Sequence, residues 1–195
     1  MNIVASKLPR VDIPLHYRQL GTVDIGRLLP RVIALTEEDW LKGTRGRRNA
    51  FPGLEQTKTI NLRFVENLDD PLTSYSLPDF EDWKALLCPI CDQAIVSYGY
   101  KDPQLSKVML TQLPAGTHIK PHTDARAGNL YTHKIHVPLV THRDVLFYSR
   151  GVPFHIPLGE AWEVNNVDMH SVWNQSRIDR VHLIFEIYDA ALIRA

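Results

Sequence analysis

Cysteine is nearly absent from this sequence: its 195 residues include only two, Cys88 and Cys91, in the run Cys-Pro-Ile-Cys. Two cysteines cannot build the disulfide framework of a small secreted domain, and no second pair completes a four-cysteine zinc site. A redox pair or half of a zinc site stays open, but we favour two partly buried, reduced thiols near a helix end. Reduced thiols are typical of a cytoplasmic protein, which is the location we expect.

An excess of charge of either sign is lacking, and so is a long apolar run. Lysine and arginine together number 22, as do aspartate and glutamate, so no bulk attraction to nucleic acid or to an acidic membrane is predicted. No apolar stretch approaches the length of a membrane span, and the first residues do not resemble a signal peptide. We expect one domain over residues 1–195, without internal repeats.

Short alternating stretches dominate the second half of the chain. From residue 105 onward, apolar residues recur at every second position in runs separated by turns. This pattern predicts a mainly β fold, a double-stranded β-helix (jelly roll, cupin-like), over residues 105–190. Residues 1–104 are predicted to add N-terminal strands and flanking, supporting helices. The predicted elements are a helix starting at Thr36, a cationic loop over 42–49, a strand over 57–65 and a helix over 79–97 that Pro89 ends or kinks.

The strand predicted over 57–65 contains a candidate substrate contact. Alternation places Arg63, with its polar neighbours, on one face and the apolar residues Ile60, Leu62 and Phe64 on the other. If this strand belongs to the main sheet, Arg63 faces the central cavity. An outward, solvated Arg63 is the alternative.

Histidine is the residue type whose placement stands out. Eight of the nine histidines lie between positions 118 and 182. Two of them, His122 and the distant His170, combine with Asp124 into a two-histidine, one-carboxylate layout, and Arg180 follows. Non-haem Fe(II) oxygenases use this layout because the three ligands occupy one face of an octahedral ion and leave three positions open. We therefore predict a metal site at His122, Asp124 and His170; the alternative is three ordinary surface or capping residues.

The segment 122–188 resembles the aspartyl/asparaginyl β-hydroxylase branch of the Fe(II)/2-oxoglutarate-dependent dioxygenases. The resemblance rests on the region of His122, on 134–139, on the turn and strand of 159–164, and on 168–170 followed by Asn174 and Arg180.

This resemblance implies roles for individual residues. His122 and His170 would bind Fe(II), Arg180 would bind the distal carboxylate of 2-oxoglutarate, and His136 and Lys134 would lie at the co-substrate site. The animal β-hydroxylases have no carboxylate at the position of Asp124. They have an arginine where this chain has Lys134, and a lysine lacks the bidentate fork of a guanidinium. A surface ion pair of Arg180 with Asp179 or Glu186 is the alternative for that side chain.

The implied activity is hydroxylation of an unactivated C–H bond with Fe(II), 2-oxoglutarate and O2, releasing succinate and CO2. The expected substrate is an amino acid, a peptide or another small molecule rather than a membrane lipid; candidate contacts are Arg63, His118 and Trp173. Two alternatives stay open. One is a non-catalytic cupin-like metal-binding or ligand-binding protein, and the other is a cupin enzyme that does not use 2-oxoglutarate, with His118 as an additional ligand.

Overall fold

The computed structural model describes residues 7–45 and 54–193. Within these ranges the chain forms three α-helices and eleven β-strands, joined by short 3-10 turns. In chain order they are β1 (Tyr17–Thr22), α1 (Leu29–Ile33), α2 (Glu37–Arg45), β2 (Lys58–Val65), β3 (Ser74–Ser76), α3 (Phe80–Ile95), β4 (Pro103–Leu113), β5 (His118–His122), β6 (His133–Val140), β7 (Val145–Ser149), β8 (Val152–Phe154), β9 (Glu160–Val164), β10 (His170–Asn174) and β11 (Arg180–Asp189).

The strands form two antiparallel sheets, as the predicted jelly roll requires. The major sheet has seven strands in the order β1-β9-β6-β11-β4-β2-β3, and the minor sheet has four in the order β5-β10-β7-β8. The N-terminal strands β1 and β2 are part of the major sheet, where they pair with β9 and β4. The mainly β, cupin-like fold class is thus confirmed.

The major sheet is covered on both faces. On one face Leu183 and Phe185 pack in a cluster with Trp83 and Leu87 of α3. The opposite face turns toward the minor sheet, whose apolar residues include Phe147 and Val172. All ten residues of β11 are buried for this reason. The predicted alternation along β11 is therefore correct: its apolar positions face the helices, and the set beginning with Arg180 faces the space between the sheets.

Helix α2 begins where the sequence predicts and ends later. Asp39 accepts a hydrogen bond from the backbone N–H of Thr36 at 2.8 Å, and the Thr36 hydroxyl accepts one from the N–H of Asp39 at 3.3 Å, so the two residues form a capping box. The prediction of a loop from 42 was wrong, because the helix continues to Arg45. Gly43 permits this: an added Cβ there would lie 2.8 Å from the carbonyl oxygen of Thr59, so a side chain would separate α2 from β2. Residues 46–49 of the predicted loop lie outside the described residues.

Helix α3 spans Phe80–Ile95 and contains Pro89 without ending there. The predicted helix is confirmed, but the boundary at the proline is not. Cys88 and Cys91 lie on this helix as free thiols, half-buried and buried respectively, and burial raises the pKa of both. No helix among the described residues is long and apolar enough to cross a membrane.

A β-bulge in β2 changes which side chains reach the space between the sheets. The register with β4 shifts between Asn61 and Arg63. Phe64 consequently lines the central cavity together with Asn61, although simple alternation places them on opposite faces. Arg63 turns away instead: it donates to the carbonyl oxygen of Leu105 at 2.5 Å and to the hydroxyls of Ser74 and Ser76.

Candidate metal centre

The pairing of β5 with β10 brings two distant histidines together. His122 and His170 are direct register partners, with ring centroids 4.2 Å apart. Asp124 follows β5 by two residues, and its Oδ1 lies 3.7 Å from Nε2 of His122. One ligand atom from each of the three side chains lies within 4.8 Å of the others. The structure therefore brings together the three residues that the sequence predicts as metal ligands.

Backbone carbonyls hold both imidazole rings in the same way. Nδ1 of His122 lies 2.8 Å from the carbonyl oxygen of Lys120, and Nδ1 of His170 lies 2.9 Å from that of Asp168. Because a carbonyl oxygen only accepts, the proton of each neutral ring must be on Nδ1. Each Nε2 then carries a lone pair, which is the form that binds a metal ion. Burial lowers the pKa of His170 to about 4, so its ring is neutral near pH 7.

Asp124 is held by three neighbouring polar residues. Its Oδ2 accepts hydrogen bonds from Nζ of Lys134 at 2.6 Å and from Nδ2 of Asn166 at 3.0 Å. Its backbone N–H donates to the carbonyl of Asn166, and its own carbonyl accepts from Asn129. Burial alone would raise the pKa of Asp124, but the charge of Lys134 leads the effects that lower it well below its usual range. The carboxylate is therefore ionised, with Oδ1 left on the side of His122.

This arrangement gives Lys134 a partner that differs from the one predicted. Lys134 lines the cavity and its ammonium donates to the carboxylate of Asp124, so its contact with a co-substrate stays a prediction. Burial would lower the pKa of Lys134, and the charge of Asp124 raises it instead. The contact indicates that Lys134 orients the carboxylate of Asp124, a candidate metal ligand.

Arg180 is a buried cation without an anion. Only 1% of the residue is exposed, and its NH2 group donates to the hydroxyl of Thr111 at 3.1 Å. Its Nε has no hydrogen-bond partner, and no carboxylate in residues 7–45 and 54–193 forms an ion pair with it. The alternative of a surface ion pair is wrong, because Asp179 accepts from Gln112 and Glu186 pairs with Lys107. Burial lowers the pKa of Arg180 to about 9.

A cavity of about 750 Å³ connects these groups between the two sheets. His136 lines it with Nδ1 unpartnered, and burial, followed by the charge of Lys134, lowers its pKa well below the ordinary value. The polar or charged side chains that line the cavity beyond the metal centre are Thr57, Thr59, Asn61, Lys107, Thr111, Thr123, Arg126, Asn129, Lys134, His136, Asn166, Arg180 and Glu186. The volume accommodates a small co-substrate together with a second small molecule.

Three residues predicted as substrate contacts lie outside the lining of this cavity. Arg63 points to the other side of β2 because of the bulge described above. His118 and Trp173 are register partners on β5 and β10, with ring centroids 5.6 Å apart, and both are exposed. Their strand neighbours Ile119 and Val172 line the cavity, so alternation directs His118 and Trp173 outward. These positions argue against the predicted contacts.

Among the cavity residues that the sequence analysis did not assign are Lys107, Thr111, Asn166 and Glu186. Lys107 and Thr111 are four residues apart on β4 and therefore share a face. Glu186 is six residues after Arg180 on β11 and shares its face, so alternation could have indicated all three residues. Asn166 lies in the irregular segment between β9 and β10, where no periodic pattern marks it.

Comparisons with solved structures agree with this fold. AviO1 from Streptomyces viridochromogenes Tue57 aligns with a TM-score of 0.58 and 15% identity, over 92% of this chain and 92% of its own. SnoN, a non-heme alpha ketoglutarate dependent epimerase from nogalamycin biosynthesis, aligns with a TM-score of 0.57 and 16% identity, over 90% and 78%. HygX from Streptomyces hygroscopicus, solved with nickel, 2-oxoglutarate and hygromycin B, aligns with a TM-score of 0.52 and 12% identity, over 90% and 84%. Similarity at these identities establishes the fold.

No curated protein sequence matches the chain. A family model does: the one described as Aspartyl/Asparaginyl beta-hydroxylase matches residues 78–190. The match spans more than half of the chain and includes the three residues of the candidate metal centre and Arg180. This chain belongs to the aspartyl/asparaginyl β-hydroxylase family.

Proposed function

We propose that this protein is an Fe(II)- and 2-oxoglutarate-dependent dioxygenase that hydroxylates an unactivated C–H bond of an amino acid, a peptide or another small substrate. The observation that carries the proposal is one cavity holding both a His-Asp-His ligand set and a buried arginine without an anion. With Fe(II) and 2-oxoglutarate bound, O2 supplies the oxygen atom inserted into the C–H bond, and succinate and CO2 are the co-products.

The ligand set fits iron by its chemistry. Two imidazole nitrogens and one carboxylate oxygen are the donors of the facial triad, which leaves open positions for a chelating co-substrate and dioxygen. Both Nδ1 atoms lie within hydrogen-bond distance of carbonyl oxygens, which leaves Nε2 of each neutral ring to bind the metal ion. Asp124 has one oxygen held by Lys134 and Asn166 and the other available. Lys134 and Asn166 therefore keep the carboxylate turned toward the two histidines.

Arg180 fits the distal carboxylate of 2-oxoglutarate. Removing a guanidinium from water without pairing it costs several kcal/mol, about the penalty for one buried ion. A carboxylate from the co-substrate would accept hydrogen bonds from the guanidinium and from the hydroxyl of Thr111, which already contacts Arg180. His136, on the neighbouring strand, offers a further polar atom in the same cavity. The burial of Arg180 strengthens these charge-assisted contacts.

The test is anaerobic addition of Fe(II) and 2-oxoglutarate to the purified apo-protein. We expect the weak visible charge-transfer band of a keto acid chelated to Fe(II). Arg180→Met should weaken the apparent affinity for 2-oxoglutarate by about 10-fold to 100-fold, because a charge-assisted contact is lost. Arg143→Met is the matched control, since Arg143 is exposed and pairs loosely with Asp144. Iron binding without the band would refute the proposal.

The same experiment separates the alternatives. A non-catalytic cupin-like protein would bind metal and yield no succinate in air. A cupin enzyme without 2-oxoglutarate would show no band, and the placement of His118 on the outer face of the minor sheet argues against its use as an additional ligand. Succinate formation stimulated by free amino acids or peptides would support the enzyme.

A further inference from the structure

A second cavity, of about 270 Å³, lies on the face of the major sheet opposite to the candidate metal centre. Its place follows from β6, where His133 lines the second cavity and the next residue, Lys134, lines the cavity between the sheets. His133 is the register partner of Ile187, one of the apolar residues of β11 that face the helices. Because side chains alternate across a strand, the major sheet separates the two cavities.

The floor of the second cavity is a buried polar cluster around Glu163. Oε1 of Glu163 lies 2.6 Å from Nδ1 of His133, and Oε2 accepts a hydrogen bond from the hydroxyl of Tyr98 at 2.8 Å. Oε2 also lies 3.2 Å from NH1 of Arg18, whose NH2 donates to Asp12 at 2.8 Å. Glu163, Tyr98, Arg18 and Asp12 therefore satisfy one another and give the floor a fixed shape.

Four residues that line the second cavity each keep a polar group without a partner among residues 7–45 and 54–193. These groups are Nε2 of His133, the hydroxyls of Tyr100 and Tyr131, and the guanidinium of Arg10. Since Nδ1 of His133 faces a carboxylate, it carries the proton, and Nε2 is the ring atom left for a ligand. His133 is only 4% exposed, whereas Arg10 is exposed. The free groups thus extend from the buried floor to the mouth.

The walls between floor and mouth are aromatic and apolar. The rings of His133 and Tyr98 stack with centroids 4.3 Å apart, and those of Tyr98 and Tyr100 with centroids 5.4 Å apart. Leu8 and Val11 of the N-terminal segment add aliphatic surface. The backbone N–H of Val11 fixes this segment by donating to a carbonyl oxygen of the turn before β6 at 3.0 Å. Walls of this kind, with a few polar groups at the ends, suit a planar ring.

We propose that the second cavity binds a small phenolic carboxylate, an aromatic ring with a hydroxyl at one end and a carboxylate at the other. The hydroxyl meets Nε2 of His133 at the floor, the ring lies along the tyrosine side chains, and the carboxylate accepts from Arg10 at the mouth. The site is independent of the dioxygenase function proposed above, because its described lining includes none of the residues assigned there to the metal or to 2-oxoglutarate.

The floor selects a hydroxyl rather than a charged group. A hydroxyl donates to Nε2 of a neutral imidazole and accepts from that of a protonated one, so it satisfies His133 in either state. A carboxylate placed there would lie close to the ionised Glu163, which holds the other side of the same ring, and like charges repel.

The mouth selects an anion. Arg18 is already compensated, because both Asp12 and Glu163 pair with it. Arg10 is the remaining cation of the lining and forms no ion pair within the part of the chain that the structure describes. A carboxylate accepts charge-assisted hydrogen bonds from a guanidinium, and these are stronger than those of a neutral amide.

Three related probes test the two ends of the ligand. The purified protein is titrated by calorimetry with 4-hydroxybenzoate, with benzoate, which lacks the hydroxyl, and with 4-hydroxybenzamide, which lacks the charge. We expect 4-hydroxybenzoate to bind about 10-fold more tightly than either of the others, because each of them loses one hydrogen-bonded contact. Equal binding of benzoate, or no binding of 4-hydroxybenzoate, would overturn the proposal.

Variants then assign the contacts. Arg10→Met should weaken binding of 4-hydroxybenzoate by about 10-fold and change that of 4-hydroxybenzamide little. Tyr131→Phe removes one free hydroxyl and should weaken binding of both. Arg27→Met is the matched control, because Arg27 is exposed and lies outside the lining. His133→Phe also takes a donor from Glu163, so if it does not fold by circular dichroism, Arg10→Met and Tyr131→Phe still decide the outcome.

A last variant distinguishes the two cavities. The cavity between the sheets also holds a cation without an anion, Arg180, to which an aromatic carboxylate is a possible ligand. We expect Arg180→Met to leave the affinity for 4-hydroxybenzoate unchanged. Loss of binding in Arg180→Met together with full binding in Arg10→Met would place the ligand between the sheets and refute the second site.

Discussion

His122 and His170 are register partners on β5 and β10, and each donates its Nδ1 proton to the carbonyl oxygen of the residue two positions earlier. The same local geometry on two antiparallel strands directs both Nε2 atoms to one point. The backbone, not a neighbouring side chain, therefore sets the tautomer at both positions. A substitution at Lys120 or Asp168 leaves these carbonyl contacts available.

Removing a member of the triad should abolish metal-dependent turnover. His122→Ala and Asp124→Ala each delete one donor of the facial set, and bound iron per protein, measured by elemental analysis, should fall below one equivalent. His142→Ala is a suitable control, because His142 is exposed and contacts only Asp144 in the ion pairs observed. Unchanged iron binding in a His122→Ala/His170→Ala double variant would contradict the assignment.

The residues that hold Asp124 should matter nearly as much as the ligand. Lys134→Met and Asn166→Ala each remove a hydrogen bond to Oδ2, which frees the carboxylate to rotate. We expect metal affinity to fall by about 10-fold to 100-fold, as for other residues that orient metal ligands. Competition with a chelator of known affinity measures this. Lys101→Met, at an exposed lysine, should have no effect, and a Lys134→Met variant with full metal affinity would show that the contact is incidental.

Thr111 should contribute to co-substrate binding through Arg180. Its hydroxyl accepts from the guanidinium, so Thr111→Val leaves a buried cation with one partner fewer at nearly constant volume. The KM for 2-oxoglutarate should rise by about 10-fold, with a smaller change in kcat. Thr22→Val at the exposed end of β1 provides the comparison. A change confined to kcat would argue against a binding role.

His182 should make the fold sensitive to acid. It is fully buried, both ring nitrogens lack partners, and it stacks on Phe147. Burial lowers the pKa of His182 well below 6.5, and the nearby charges of Arg180, His136 and His155 lower it further. The unfolded chain takes up a proton below about pH 6.5 and the folded chain does not, so stability is lost as pH falls, by about 1.4 kcal/mol per pH unit.

The variant His182→Leu tests this contribution. It should raise the free energy of unfolding at pH 7 by about 1–3 kcal/mol, because two unpartnered polar atoms are removed from the interior. It should also flatten the loss of stability between pH 6.5 and 5, as measured by urea unfolding. His142→Leu, at an exposed histidine, should leave the slope unchanged. An unaltered slope in His182→Leu would assign the acid sensitivity to other groups.

What the sequence could predict depended on periodicity and spacing. The alternation along β11 correctly assigned its two faces, and the spacing of His122, Asp124 and His170 indicated a cluster that the structure brings together. Alternation alone placed Arg63 on the cavity face of β2, but a bulge changes which residues of this strand face the cavity. Nothing local in the sequence marks that bulge. Asn166 was missed because its role depends on a contact 42 residues away in the chain, with Asp124.

The unpaired burial of Arg180 also affects how this fold can change over time. A cation without an anion in the interior lowers the stability of the ligand-free protein, and replacing it with an apolar residue of similar size would relieve that cost. Arg180→Met is thus expected to stabilise the fold and at the same time to weaken co-substrate binding. At this position selection for a more stable fold and selection for activity act in opposite directions, so an arginine persists only while the activity is needed.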